Sequence, residues 1–213
     1  PDNPTLTFTP DIKQEQLDLT DQLTTGFKDK LPGFAELDGY ILMKNSPSCG
    51  LSRIKVYQDN GYPHEQKGQG IFTAALQKQY PNLPTEEEGR LHDDKLYENF
   101  VLRVYAHHNF RHEVLTKPSV HKLIQFHSSY KYVLMAHNQT AYKELGKRLA
   151  TIDKHQLEQT LVEYQAAFMG ALSTSATKEN HTNAYGHFLI TLGINYKIAK
   201  LWKTKKQSTQ SSK

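Results

Sequence analysis

Ser46-Pro47-Ser48-Cys49-Gly50 holds the one cysteine of the 213-residue chain. It follows Gly39-Tyr40-Ile41-Leu42-Met43, an apolar, aromatic and β-branched run that predicts a short buried strand, stopped by Pro47 and Gly50. Small hydroxyl residues leave room around the sulfur, and Gly50 permits a tight turn or a close approach of the backbone to a ligand. This is a way to present a thiolate to a metal or to a substrate. The alternative is a half-buried structural cysteine at a strand end.

The elements that must position Cys49 are read from its flanks. Leu19, Leu23, Phe27 and Leu31 recur at helical spacing and predict a helix over 14–30, ended by Pro32-Gly33. Ile54-Lys55-Val56-Tyr57 alternates as a strand closed by the turn residues Asp59-Asn60-Gly61. Lys67-Gly68-Gln69-Gly70 precedes Ile71–Leu76, which reads as a helix whose N-terminus could bind an anion, or as a plain tight connection. Beyond Pro81 and Pro84 lies Glu86-Glu87-Glu88-Gly89-Arg90. Three adjacent carboxylates are ordinarily a solvated face; the functional alternative is that one of them, with Arg90, reaches back to the site or fixes a hinge.

From Leu96 onward the pattern is helical. Leu96, Phe100, Val104, His107 and Phe110-Arg111 form one periodic segment, followed by 120–138, 140–149 and 157–172, as in a bundle with short links. The fold expected is therefore α+β, a partial α/β layer followed by an all-α helical bundle. The boundaries expected are 1–95, 96–190 and a basic polar tail over 191–213.

Charge divides along the same line. Residues 1–95 carry 10 Lys/Arg against 15 Asp/Glu, and residues 96–213 carry 16 against 7. A basic second half suits a polyanion, because phosphate neutralisation supplies most non-specific nucleic-acid affinity. Six of those cations, Lys197, Lys200, Lys203, Lys205, Lys206 and Lys213, lie in the terminal stretch, so a solvated tail accounts for part of the excess. One cysteine excludes an internal disulfide, no apolar run approaches the roughly 18 residues of a membrane span, and a reducing cytoplasm is the natural setting. The start, Pro1-Asp2-Asn3-Pro4-Thr5, has neither an initiator Met nor a signal segment, which points to a processed, truncated or excerpted chain.

Eleven histidines raise a metal hypothesis. No His-Glu-x-x-His pattern occurs, and His108 and His112, four apart, show no obvious carboxylate or cysteine partner in the sequence. His127, His137 and His181 are expected to make polar contacts between helices, or to join Lys131 and Lys178 in contacting phosphate or a base. Tyr130, Tyr132 and Tyr142, interleaved with these cations, would suit stacking on unpaired RNA bases or packing in the core.

Several segments together resemble a two-part bacterial family. Ser46–Gly50, Arg53–Tyr57, Gly68 and Gly70 before Ile71-Phe72, and Pro84–His92 resemble its first part (DUF523), which is similar to thiouracil desulfidases. Phe126–Lys131, Ala136-His137, Tyr142–Gly146 and Lys178–Asn183 with His187 resemble its second, helical part (DUF1722, the YbgA type).

The resemblance implies removal of sulfur from 4-thiouridine in tRNA, with a 4Fe-4S cluster held by three cysteines. On this chain it implies Cys49 as a cluster ligand, Ser46 as the catalytic serine, Gly68 and Gly70 as cofactor-binding, and a helical part that positions tRNA, for which His127, Tyr130, Lys131, His137, Lys178 and His181 are the candidate RNA-binding residues. It also implies two further cysteines from an N-terminal segment, which this sequence lacks, so the chain alone is not expected to bind the cluster. Relatives are expected to continue differently after Gly186-His187-Phe188, as for a truncated or frameshifted gene. Two other functions stay open: a non-enzymatic RNA-binding or interaction module, and a desulfidase of free thiouracil or thionucleotides.

Overall fold

The computed structural model describes residues 7–8, 17–58, 62–65 and 67–193. The turn expected at Asp59-Asn60-Gly61 and the tail beyond Gly193 lie outside them. The chain forms two compact units, 1–108 and 109–213.

In the first unit, β1 (Thr7–Phe8) pairs antiparallel with β2 (Leu17–Asp18). This pairing shortens the expected first helix, because Leu17 and Asp18 are spent in a strand and α1 runs only over Thr20–Lys28. Asp18 accepts the Thr20 amide at 2.9 Å, meeting one of the unpaired donors of the first helical turn. Hydrogen bonds from the Thr20 side chain and from its amide hold the Asp18 carboxyl below the usual range. A 3-10 turn, Leu31–Glu36, then leads into β3 (Tyr40–Leu42).

β3 pairs in parallel with β4 (Thr85–Glu87), Tyr40 opposite Thr85 and Leu42 opposite Glu87. Parallel strands need a crossover, and α2 (Ile71–Gln79) provides it. Leu31, Leu42, Phe72, Leu76 and Leu83 form the core, and Cys49 and Leu51 pack against it. Phe27, Phe34 and Tyr40 meet the Phe72 ring at 5.5, 6.0 and 5.6 Å. The expected strand over Ile54–Tyr57 is reduced to isolated bridges, Ile54 with Gly68 and Tyr57 with Pro63. After a second 3-10 turn (Glu88–His92), α3 spans Asp94–Asn109.

The second unit begins at the last residue of α3 and a π-helical turn, Phe110–Leu115. It contains α4 (Val120–His137), α5 (Gln139–Ala150), α6 (Leu157–Leu172) and α7 (Lys178–Thr191). α4 packs against the other three. Ser119, Asn138 and Thr177 cap α4, α5 and α7 with their side-chain oxygens, which explains why those helices begin where they do. Phe110, Phe126, Tyr164 and Phe168 are fully buried and interlock, Phe126 meeting Phe110 at 5.1 Å and Phe168 at 5.0 Å.

Candidate functional site

Cys49 is half-buried in a loop held by several backbone hydrogen bonds. Its own amide donates to Ser46 Oγ at 3.0 Å, and its carbonyl accepts from Thr73 Oγ1 at 2.8 Å. The Gly50 amide donates to the Ser46 carbonyl at 2.7 Å, which closes a tight turn around the sulfur. Asn45, at φ 59°, opens this turn in the left-handed region, where asparagine is better tolerated than most residues.

The start of α2 is spent on the same loop. Phe72 donates its amide to the Ser48 carbonyl and Gly70 to the Gly50 carbonyl, both at 2.9 Å. These donors, which the sequence offered to an anion, point instead at the cysteine turn. Gly70 must be small for a related reason: a Cβ there would meet the Ser48 carbonyl and come within 2.7 Å of the Cys49 nitrogen. Gly68 exchanges both backbone hydrogen bonds with Ile54, at 2.8 and 3.0 Å. The structure therefore brings Ser46, Cys49 and Gly70 together, with Gly68 one bridge away.

The acidic run is not a solvated face. Glu86 and Glu87 are each only 6% exposed, and Glu88 is exposed. Alternation along β4 sends neighbouring side chains to opposite faces. Glu86 accepts from Arg90 Nε at 2.7 Å, whereas Glu87 accepts the Leu51 amide at 3.0 Å and Glu88 the Lys44 amide at 2.7 Å. Gln69 Nε2 reaches the Leu51 carbonyl at 3.2 Å and Gln77 Oε1 at 2.8 Å, and Gln77 donates to Thr85 Oγ1 at 2.9 Å. Thr73, Gln69, Gln77 and the division of labour among the glutamates escaped the sequence reading. Each acts through a partner distant in sequence, and Thr85–Glu87 has too little apolar character to read as a strand.

His108 does have a carboxylate partner, contrary to the expectation from spacing. Asp38, distant in sequence, lies 3.1 Å from His107 Nδ1 and 2.7 Å from His108 Nδ1. Only a long-range contact could show this.

In the helical unit the expected RNA-binding residues divide. His127 stacks flat on Tyr142 at 6.0 Å, and its Nδ1 lies 2.9 Å from the Tyr164 hydroxyl. Burial pulls the His127 pKa down and pushes the buried Tyr164 phenol up. Tyr130 packs on Phe126 and Phe168 at 4.7 and 5.5 Å and accepts from Asn109 Nδ2 at 2.9 Å; burial raises its pKa.

His137 donates from Nδ1 to the Val133 carbonyl at 2.9 Å, with His181 edge-on at 6.2 Å. Its pKa is lowered chiefly by burial, with a smaller push from His181. Lys178 and His181 are exposed on the first turns of α7, and Lys131 places Nζ 4.7 Å from the Tyr132 ring centre. His137, His181 and Lys178 thus lie toward one end of the α4–α7 pair, while His127 and Tyr130 belong to the aromatic interior.

A four-iron cluster requires several soft ligands. Cys49 is the chain's one cysteine, and among the described residues it shares no set of three or more His, Cys, Asp or Glu groups close enough for a common metal ion. The residues present do not complete a cluster site. No described helix is long and apolar enough to cross a membrane.

Comparison with known proteins matches these two regions separately. Residues 8–88 match the family described as 2-thiouracil desulfurase, and residues 131–194 match a family described as a protein of unknown function, DUF1722. The chain is also 32% identical over 99 residues to the uncharacterized protein YbgA of Escherichia coli (strain K12), covering 46% of this chain and 56% of YbgA. The chain thus resembles a 2-thiouracil desulfurase over its first part and a DUF1722 protein over its second. The chain spans about half the length of this curated relative. The second match extends to residue 194, so the family pattern continues past His187, where the sequence was expected to depart from it. No solved structure matches the chain.

Proposed function

We propose that this chain is part of a desulfurase that replaces the thiocarbonyl sulfur of a thiouridine in tRNA with oxygen, and that Cys49 is its sulfur-handling thiolate. The net reaction consumes water, converts C=S to C=O and releases sulfide. The observation that carries the reading is the cysteine turn. It lies inside the 2-thiouracil desulfurase match, and hydrogen bonds to Ser46, Thr73, Glu87, Phe72 and Gly70 fix the backbone on both sides of the sulfur.

A soft thiolate held in one place suits a soft sulfur substrate, whether it acts directly or completes a metal site with ligands from elsewhere. Ser46 accepts the Cys49 amide through an oxygen lone pair, which leaves its hydroxyl proton to donate to the thiocarbonyl or the incoming water. Lys131, Lys178 and His181, with His137 beside it, supply the polar and cationic contacts for RNA, supported by the basic balance of residues 96–213.

The test is anaerobic sulfide release from thiouridine-containing tRNA and from free thiouracil, with the natural gene product, with and without iron and sulfide supplied. Release that disappears in Cys49→Ser supports the reading. Release that survives in Cys49→Ser overturns the role of Cys49. Turnover of the free base but not of tRNA selects the small-molecule desulfidase, and tRNA binding without any release selects the non-enzymatic RNA-binding module.

A further inference from the structure

We propose that Glu87 and Glu88 are positioning residues for Cys49, acting as a two-point carboxylate clamp on the loop that carries it. The loop leaves β3 after Leu42 and returns at Leu51. Its amide at Lys44 donates to Glu88 Oε2 at 2.7 Å, and its amide at Leu51 donates to Glu87 Oε1 at 3.0 Å. The parallel register explains why adjacent residues reach both ends. Leu42 stands opposite Glu87, so the two strands finish side by side and the loop passes over the acidic pair.

The burial of Glu87 argues that this bond is more than incidental. A buried carboxylate is costly unless it is paired or hydrogen-bonded. Glu86 has Arg90, but among the described residues Glu87 has no ion-pair partner and is spent on the Leu51 amide. The Leu51 carbonyl is held in turn by Gln69, so both backbone groups of this residue, two beyond the cysteine, are fixed by side chains from other elements. Lys44 Cδ lies 3.1 Å from where a Cβ on Gly89 would stand, so Gly89 leaves room for the Glu88 end of the clamp.

The inference rests on the proposed role of Cys49 for its functional meaning, but its test needs no substrate. Because the chain has one cysteine, the alkylation of Cys49 by iodoacetamide can be followed by mass change, alongside amide exchange across 44–51. Glu87→Ala is expected to raise both the alkylation rate and the exchange of the Leu51 amide by about tenfold, the ratio for losing one charge-assisted bond. Glu87→Gln keeps an acceptor oxygen but not its charge and is expected to stay within about threefold of wild type. Glu88→Ala is expected to speed exchange at Lys44.

Wild-type behaviour of Glu87→Ala in both measurements overturns the clamp, as does Glu87→Gln behaving like the alanine variant. If Glu87→Ala fails to fold, the other two variants decide: a protected Leu51 in Glu87→Gln with a released Lys44 in Glu88→Ala supports the clamp, and any other pairing overturns it. Failure of sulfide release with the clamp intact sinks the desulfurase reading alone.

Discussion

At Gly70 the need for glycine is one of space. The residue has ordinary extended backbone angles as the N-cap of α2, yet an added methyl would press into the backbone of Ser48 and Cys49 rather than into a flexible side chain. Gly70→Ala is therefore expected to cost about 1–3 kcal/mol, the range for overpacking, and to displace the cysteine turn. Urea unfolding checks the first effect and the alkylation rate of Cys49 the second. Ser46→Ala removes the acceptor of the Cys49 amide, at about 1 kcal/mol. Restoration of the rate and stability by Ser46→Thr, which keeps the hydroxyl, would attribute the loss to that bond.

The helices carry a different dependence, on pH. Burial lowers the pKa of both His127 and His137, so the folded state prefers them neutral while the unfolded chain protonates them near the ordinary value of about 6.5. Their contribution to stability is complete above that value. It is lost as pH falls from there toward the folded pKa values, because over that window the unfolded state binds more protons. The melting temperature should drop between about pH 7 and pH 5, and the double substitution His127→Gln, His137→Gln should flatten the drop. An unchanged slope in the double variant would assign the pH dependence to other groups.

What was legible in the sequence also sorts by element. α4 and α6 were read almost to the residue because their apolar positions repeat at the helical period over many turns, and the capping oxygen of Ser119 agrees with the pattern at the start of α4. β3 was legible as an apolar run stopped by proline and glycine. β4 was not, because Thr85, Glu86 and Glu87 are polar residues buried by hydrogen bonds that their own sequence does not announce. The start of α1 was misplaced for a similar reason: the helix expected over 14–30 took in Leu17 and Asp18, which pair instead with Thr7–Phe8. Of the candidate site, Ser46 and Cys49 were visible as a motif. The groups that hold them, and the Asp38 partner of His107 and His108, depend on contacts between segments far apart in the chain.

Taken whole, the chain joins a stretch with an acidic balance to one with a basic balance, 16 Lys/Arg against 7 Asp/Glu over residues 96–213. If this excess serves RNA, affinity must fall steeply with salt, because each phosphate neutralised releases condensed counterions. Lys131 and Lys178 separate a true contact from a diffuse field. Each lysine that meets a phosphate contributes about 0.7–0.9 to the log–log slope, so Lys131→Gln with Lys178→Gln should shallow it by roughly 1.5 as well as weaken binding. Anisotropy titrations of labelled tRNA between about 50 and 200 mM salt would measure this directly. Weakened binding with an unchanged slope would mean that the two lysines act through packing, as Lys131 does where it lies over the Tyr132 ring. An unchanged affinity would move the RNA contact elsewhere and leave the His137–His181 pair as a purely structural contact between α4 and α7.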